Sequence, residues 1–253
     1  MFLPPFNFPE NIILLITDTL PSPASFLLHR ALTAHLKSSP TQTSNAGVHK
    51  KATIVSVSED LTKWKAIASR SNINLEQQID SGSLTFIDAL SLIQPPVAGS
   101  IAEPSLRPLI DPIINSISTS GSGKNTEHVV ILDDITTLEW IGFPLLDISR
   151  FVRALVASCR RANTTLIIRH HFTLADEIDD LFRQLLQLCT YHLEVRSLAS
   201  GRSGAVSGEV ALHAGPSTPL GQLKLTPRSS ALQYRLSDTG SIFFERGTGA
   251  AVL

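Results

Sequence analysis

The sequence predicts an α/β domain built on a mostly parallel central sheet. Three observations carry this reading: continuous apolar runs of strand length, amphipathic helical segments alternating with them, and a switch to period-two patterning after residue 190. Apolar runs rich in branched residues and lacking alternation suit strands buried on both faces, as parallel sheets require. Strand–helix alternation places helices on both faces, and the late hairpin-like strands then extend one edge as an antiparallel addition. At 253 residues, with 43% hydrophobic and 17% charged residues, the chain can core one large domain over 1–253.

Residues 12–16, an unbroken Ile and Leu run between Asn11 and Asp18, form the first expected strand. Ser22 is placed to cap the next helix with Pro23 at its first position. The apolar residues Phe26, Leu27, Ala31, Ala34 and Leu36 recur at helical spacing in it. Residues 38–51 are polar and read as a loop, 52–57 as a second strand. Ser58 then caps a helix presenting Leu61, Trp64, Ile67 and Ala68. A third strand over 84–87 ends at Asp88.

Prolines 95, 96, 104, 108 and 112, with the small polar residues of 118–125, mark a flexible insertion over about 91–127. It leaves room for a short helix over 109–117. Residues 129–132 form a strand ending in Asp133 and Asp134, followed by an amphipathic helix over 145–161. Another strand, 165–168, ends at Arg169, His170 and His171, and a helix covers 175–188. Residues 191–198, 206–213, 222–225, 232–236 and 242–244 read as the late strands, and 246–253 as a frayed tail.

The net charge of −1 encodes no global pull toward nucleic acid or membrane, so any RNA contact must come from a local basic surface. Cys159 and Cys189 are too few for a disulfide framework or a zinc site and read as buried small hydrophobes in a reducing compartment. His29, His35 and His128 stand alone, without partners at metal-ligand spacing. The N-terminus lacks a basic region and its apolar run is short, so neither a signal peptide nor a membrane span is expected. The glycines between 201 and 208 belong to a hairpin loop rather than a nucleophile elbow. A soluble intracellular protein is the expectation.

The strand–helix order matches the core of RecA-type ATPases, so the turn after the first strand should carry a phosphate-binding loop. Such a loop wraps phosphate with glycine backbone N–H groups, a lysine and a magnesium-holding hydroxyl. If Ser25 takes the hydroxyl position, Ala24 replaces the lysine, Pro23 the second glycine and Asp18 the first. Proline has no N–H, alanine no charge, and aspartate repels phosphate. The expectation is therefore a RecA-like fold without a functional phosphate loop, binding no cofactor. Gly121, Gly123 and Lys124 mimic part of the motif but precede a strand instead of following one, and read as linker.

Asp133 and Asp134 fit a Walker B position, a buried strand delivering a carboxylate that would orient magnesium. Strand-end aspartates also cap turns. Asp88 is a weaker candidate for the catalytic carboxylate. Arg169, His170 and His171, at a strand end where open α/β sheets gather ligands, are candidates for nucleic-acid contact; a solvated turn is the simpler alternative. Arg160 and Arg161 complement a helix C-terminus.

The run from Ile13 to His29 (ILLITDTLPSPASFLLH) resembles the Elongator complex protein six family, RecA-like subunits of the Elongator accessory subcomplex. The resemblance continues through residues 55–58 with Trp64, 82–88, and 129–135 with Leu138, Ile141 and Gly142, and so spans most of 11–171. It implies a non-catalytic subunit in a heterohexameric ring with two related RecA-like subunits, two copies of each. That ring binds tRNA, joins the catalytic Elongator subunits and supports modification of wobble uridine at C5. A cytoplasmic location, with the nucleus as a second one, follows from the same resemblance. Two alternatives stand beside it: a nucleotide hydrolase with an unconventional loop using Asp133 or Asp134, and a RecA-paralogue scaffold in DNA recombination.

Overall fold

The computed structural model describes residues 2–3, 5–37, 49–94, 105–118, 126–173, 178–198, 206–219, 221, 223–237 and 240–246. The Gly121–Lys124 mimic, residues 95–104 and 119–125 of the insertion, the loop over 38–48 and the tail beyond 246 lie outside them. A short ribbon of β1 (Phe2–Leu3) and β2 (Phe6–Asn7) comes first. Then follow β3 (Ile13–Thr19), α1 (Ser25–Lys37), β4 (His49–Ser56), α2 (Leu61–Arg70), α3 (Leu75–Asp80), β5 (Leu84–Asp88) and α4 (Ala89–Leu92). Next are α5 (Arg107–Ser118), β6 (Thr126–Leu132), α6 (Thr136–Trp140), α7 (Leu145–Arg161), β7 (Thr165–Phe172) and α8 (Asp180–Leu188). The last strands are β8 (Tyr191–Arg196), β9 (Gly208–Ala214), β10 (Leu232–Ser237) and β11 (Gly240–Phe244).

One sheet runs β11-β10-β9-β8-β3-β7-β6-β4-β5. Neighbours from β8 to β5 are parallel, and β9, β10 and β11 add to β8 antiparallel, as the period-two patterning predicts. The sheet separates two cores. Leu14 and Ile16 of β3 face α1, α2 and α3, while Ile13 and Leu15 face α4 to α8. Every residue of β3 is buried, and its Ile13–Ile16 stretch is accordingly apolar on both faces. The N-terminal ribbon adds Leu3 and Phe6 to the first core, where Phe8 packs on Tyr191 at 5.6 Å.

Several boundaries move from their expected places. β3 continues to Thr19 and β7 to Phe172, past the end of each apolar run. α1 starts at Ser25, not at Pro23, because Ser22 closes a turn by donating its N–H to the Thr19 carbonyl (2.9 Å). Asp60 caps α2 by accepting from Lys63 N (2.8 Å), displacing Ser58 from that role. Asp179 caps α8, which begins five residues later than its periodicity suggests. The expected strand at 222–225 is reduced among the described residues to a single bridge between Thr226 and Leu212. α3, α4 and α6 are too short to show a helical period.

Four helix ends share one device. Asn72, Gly82, Gly142 and Asn163 adopt left-handed backbone just beyond α2, α3, α6 and α7. The next N–H then returns to the last turn, as Thr164 N does to Cys159 O (2.9 Å). Cys159 and Cys189 are free and buried, and burial pushes both thiols up to about 12. Among the described residues no helix is long and apolar enough to cross a membrane.

Three buried histidines, His35 on α1, His128 on β6 and His192 on β8, are held as neutral rings. His35 Nε2 meets Lys51 O at 3.0 Å, His128 Nε2 meets Thr53 Oγ1 at 2.9 Å, and His192 Nε2 meets Thr17 Oγ1 at 2.7 Å. Burial, the largest influence on each, lowers all three to about 4 from 6.5. Below pH 6.5 the unfolded chain therefore takes up protons that the folded chain refuses, and stability is lost as pH falls from 6.5 toward 4. Each ring adds up to about 1.4 kcal/mol per pH unit to that slope. Urea unfolding between pH 7.5 and 4.5 is expected to show the decline, and His128→Gln to make it shallower.

Candidate functional site

The C-terminal ends of β3, β4, β6 and β7 lie side by side, the position at which open α/β sheets bind ligands. Asp18 occupies this edge on β3, with 1% of its surface exposed. A carboxylate so deep must find donors or lose its charge. Three donors converge on it. Ala24 N, at the start of α1, and Arg169 Nε (2.9 Å) donate to Oδ2, and His171 Nδ1 lies 2.8 Å from Oδ1. The helix N-terminus and the guanidinium both favour a negative charge there.

The turn between β3 and α1 has few donors left. Pro21 and Pro23 have no N–H, Ser22 N is bonded to Thr19 O, and Ala24 N is bonded to Asp18. The Asp18 carboxylate thus fills the anion position that the helix N-terminus offers.

The Walker B-like pair is equally committed. Asp133 accepts from Ser56 Oγ, from Val57 N at 2.7 Å and from Ser58 N at 3.3 Å. Burial raises its pKa, and the hydroxyl and backbone donors pull the other way. Asp134, one residue before the cap of α6, accepts from Thr136 N (3.0 Å) and Thr137 Oγ1 (3.1 Å). Arg169 Nη1 reaches the Asp133 carbonyl at 3.3 Å, so one guanidinium bridges the β3 turn and the β6 end. In a working ATPase, magnesium and phosphate lie between the phosphate loop and the Walker B carboxylate.

The sequence places Asp18, Ala24, Asp133 and Asp134 at one edge, and the structure brings them together with Arg169 and His171. Pro23 and Ser25 flank the same turn. Asp88 stands apart on β5, exposed, where it accepts from Ser91 N and caps α4. The expected strand-end turn at Arg169, His170 and His171 is corrected: these residues lie within β7 and are 8%, 0% and 8% exposed. The apolar run stops at Ile168 but hydrogen-bond pairing continues, because Asp18 compensates the polar residues. His170 faces the other way, 4.8 Å from the Phe172 ring and 3.1 Å from Asp179 Oδ2.

Ser56, Thr136 and Trp140 were not singled out by sequence. Ser56 holds Asp133, Thr136 Oγ1 accepts from His171 N (2.8 Å), and Trp140 packs edge-on against His171 (5.7 Å). The only sequence signal for the cluster is a charged residue ending each of two apolar runs, Asp18 after β3's and Arg169 after β7's. Arg160 does more than oppose a helix dipole: it donates to Leu188 O at 2.9 Å and ties α7 to α8.

The Elongation complex protein 6 family matches residues 3–238. The chain belongs to that family. Elongator complex protein 6 of Danio rerio is 26% identical, over 98% of this chain and 96% of its own length. The Xenopus tropicalis and Homo sapiens proteins of the same name are 25% and 24% identical, over 90% of this chain and 88% of theirs. A KaiC-like protein of Pyrococcus horikoshii superposes with a TM-score of 0.64 over 94% of this chain and 91% of its own. Its identity is 11%, so the likeness shows the fold alone: this chain is RecA-like in architecture.

Removing Asp18 from this family member leaves Arg169 buried without its counter-charge. Asp18→Ala is expected to cost about 3–5 kcal/mol of stability in urea unfolding. Adding Arg169→Met should recover part of that loss, so the double variant costs less than the two singles summed.

Proposed function

We propose that the chain is a non-catalytic, RecA-like structural subunit of an Elongator assembly that supports tRNA binding and wobble-uridine modification at C5. The observation that carries this reading is Asp18: its own carboxylate holds the turn amide that a phosphate would otherwise approach, and pairs with the buried Arg169 beside it. Asp133 and Asp134 are likewise turned to backbone and hydroxyl donors, which supports a fold retained for shape and interface. Family membership supplies the Elongator context. In this reading the chain joins two related RecA-like subunits in a heterohexameric ring, which docks on the catalytic subunits. tRNA contact comes from the exposed surface of the ring and not from Arg169, His170 or His171, each at most 8% exposed.

Native mass spectrometry of the chain with its two related subunits tests the assembly, a six-chain species being the expected result. A chain that stays monomeric in the mixture overturns it. Calorimetry of the isolated chain with ATP and magnesium is expected to give no heat of binding. Binding that disappears in Asp133→Ala would favour the nucleotide-hydrolase alternative.

A further inference from the structure

A groove of 450 Å³ opens on the face of the sheet opposite α7, between α1, the end of α2 and the β10–β11 hairpin. That volume falls within the range of small-ligand pockets. Phe26, Ala34, Ile67 and Leu236 give it an apolar lining, with Phe26 fixed by stacking on Tyr234 at 4.8 Å. Among the described residues its charged lining is cationic or titratable to a cation, from His29, Arg30 and Arg70, and none of them is a carboxylate.

Arg30 is the informative residue. Its Nη1 donates to Ser241 O (2.7 Å) and Ser241 Oγ (2.9 Å), and the guanidinium lies over the Phe243 ring at 5.2 Å. All of these partners are neutral. Its Nε is buried with no hydrogen-bond partner among the described residues. Arg169, the other deeply placed arginine, has the Asp18 carboxylate instead. Glu59 lies near the groove's inner wall but is occupied by Lys63 (2.7 Å) and His29 (3.7 Å). Arg70, at the rim, makes no ion pair among the described residues. Nε is too enclosed for a ligand to reach, but Nη2 also makes no hydrogen bond among the described residues, and such a guanidinium gains a charge-assisted hydrogen bond from an incoming acid.

We propose that this groove binds an amphipathic anion, with its acid group on Arg30 and Arg70 and its apolar body on Phe26, Ile67 and Leu236. The mixed lining opposes a nucleic-acid backbone, which needs a row of cations and little apolar surface. The occupant that fits the groove's small-ligand volume is a free organic acid, and an apolar segment of a neighbouring chain tipped with Asp or Glu is the outcome the test must separate from it. The proposal rests on the groove alone and does not depend on the assembly reading.

Titration of the full chain, followed by NMR and calorimetry, uses octanoate as probe, with octylammonium and inorganic phosphate as controls. Octanoate is expected to bind saturably and at least tenfold more tightly than either control. Arg30→Met should weaken it at least tenfold. Because Arg30→Met also removes the bond to Ser241, Ala34→Trp serves as a second variant: it fills the groove and leaves that bond in place. Equal binding of octanoate and octylammonium, or octanoate binding unchanged in both folded variants, overturns the proposal. The source is read by repeating the titration on the chain assembled with its partner subunits. Binding that survives assembly assigns a free acid. Binding lost on assembly, with assembly itself weakened in Ala34→Trp, assigns a neighbour's segment. Failure of the wild-type chain to assemble would count against the proposed function and leave the isolated-chain result standing.

Discussion

A carboxylate sealed at the C-terminal edge of the central strand has to be neutralised from within, and that constraint organises the edge around Asp18. Arg169, His171 and the first turn amide of α1 do so together. The contacts reach further than charge balance. They fix where α1 begins, extend β7 past its apolar run, and tie the end of β6 to that of β3 through one guanidinium. Removing one member of such a buried set costs more than the set contributes, because the remaining charges are stranded.

The same rule recurs on the antiparallel side of the sheet. Glu194 on β8 is 8% exposed and is gripped bidentately by Arg228 (2.8 and 2.7 Å), with His213 at 3.1 Å. Burial pushes its pKa up, but the His213 and Arg228 hydrogen bonds prevail and hold it at about 2. Glu209 on β9 is 2% exposed and bonded to Arg196 (3.1 Å) and Arg246 (2.8 Å). Buried acids here carry cationic partners, and against that pattern the neutral surroundings of Arg30 stand out.

The architecture is RecA-like, and the polar groups at its strand ends are bonded within the chain. β3, its turn and α1 are in the places where a phosphate loop would operate, and β6 ends in two aspartates beside them. Backbone geometry and side-chain chemistry have been separated. The parallel sheet depends on apolar runs and right-handed crossovers, which tolerate any polar residue at a strand end that finds a partner. The polar residues at that edge have found theirs inside the chain.

Much of this was legible in one dimension. Buried parallel strands show as unbroken Ile, Leu and Val runs, α7 as a long amphipathic period, and the antiparallel edge as alternation, because each pattern reflects the geometry of its own segment. That Pro23 offers no N–H and Ala24 no charge was equally plain, since this holds wherever they fold. What the sequence could not supply was the pairing of residues 151 apart: Asp18 with Arg169 depends on β3 and β7 being neighbours in register. Hence the 169–171 segment read as a loop, when its charge is consumed within the sheet. The groove around Arg30 was invisible for the same reason, since it is walled by α1, α2 and a hairpin that only the tertiary fold brings together. Local patterns determined which segments became strands and helices; long-range register decided which charges were neutralised and which was left for a ligand.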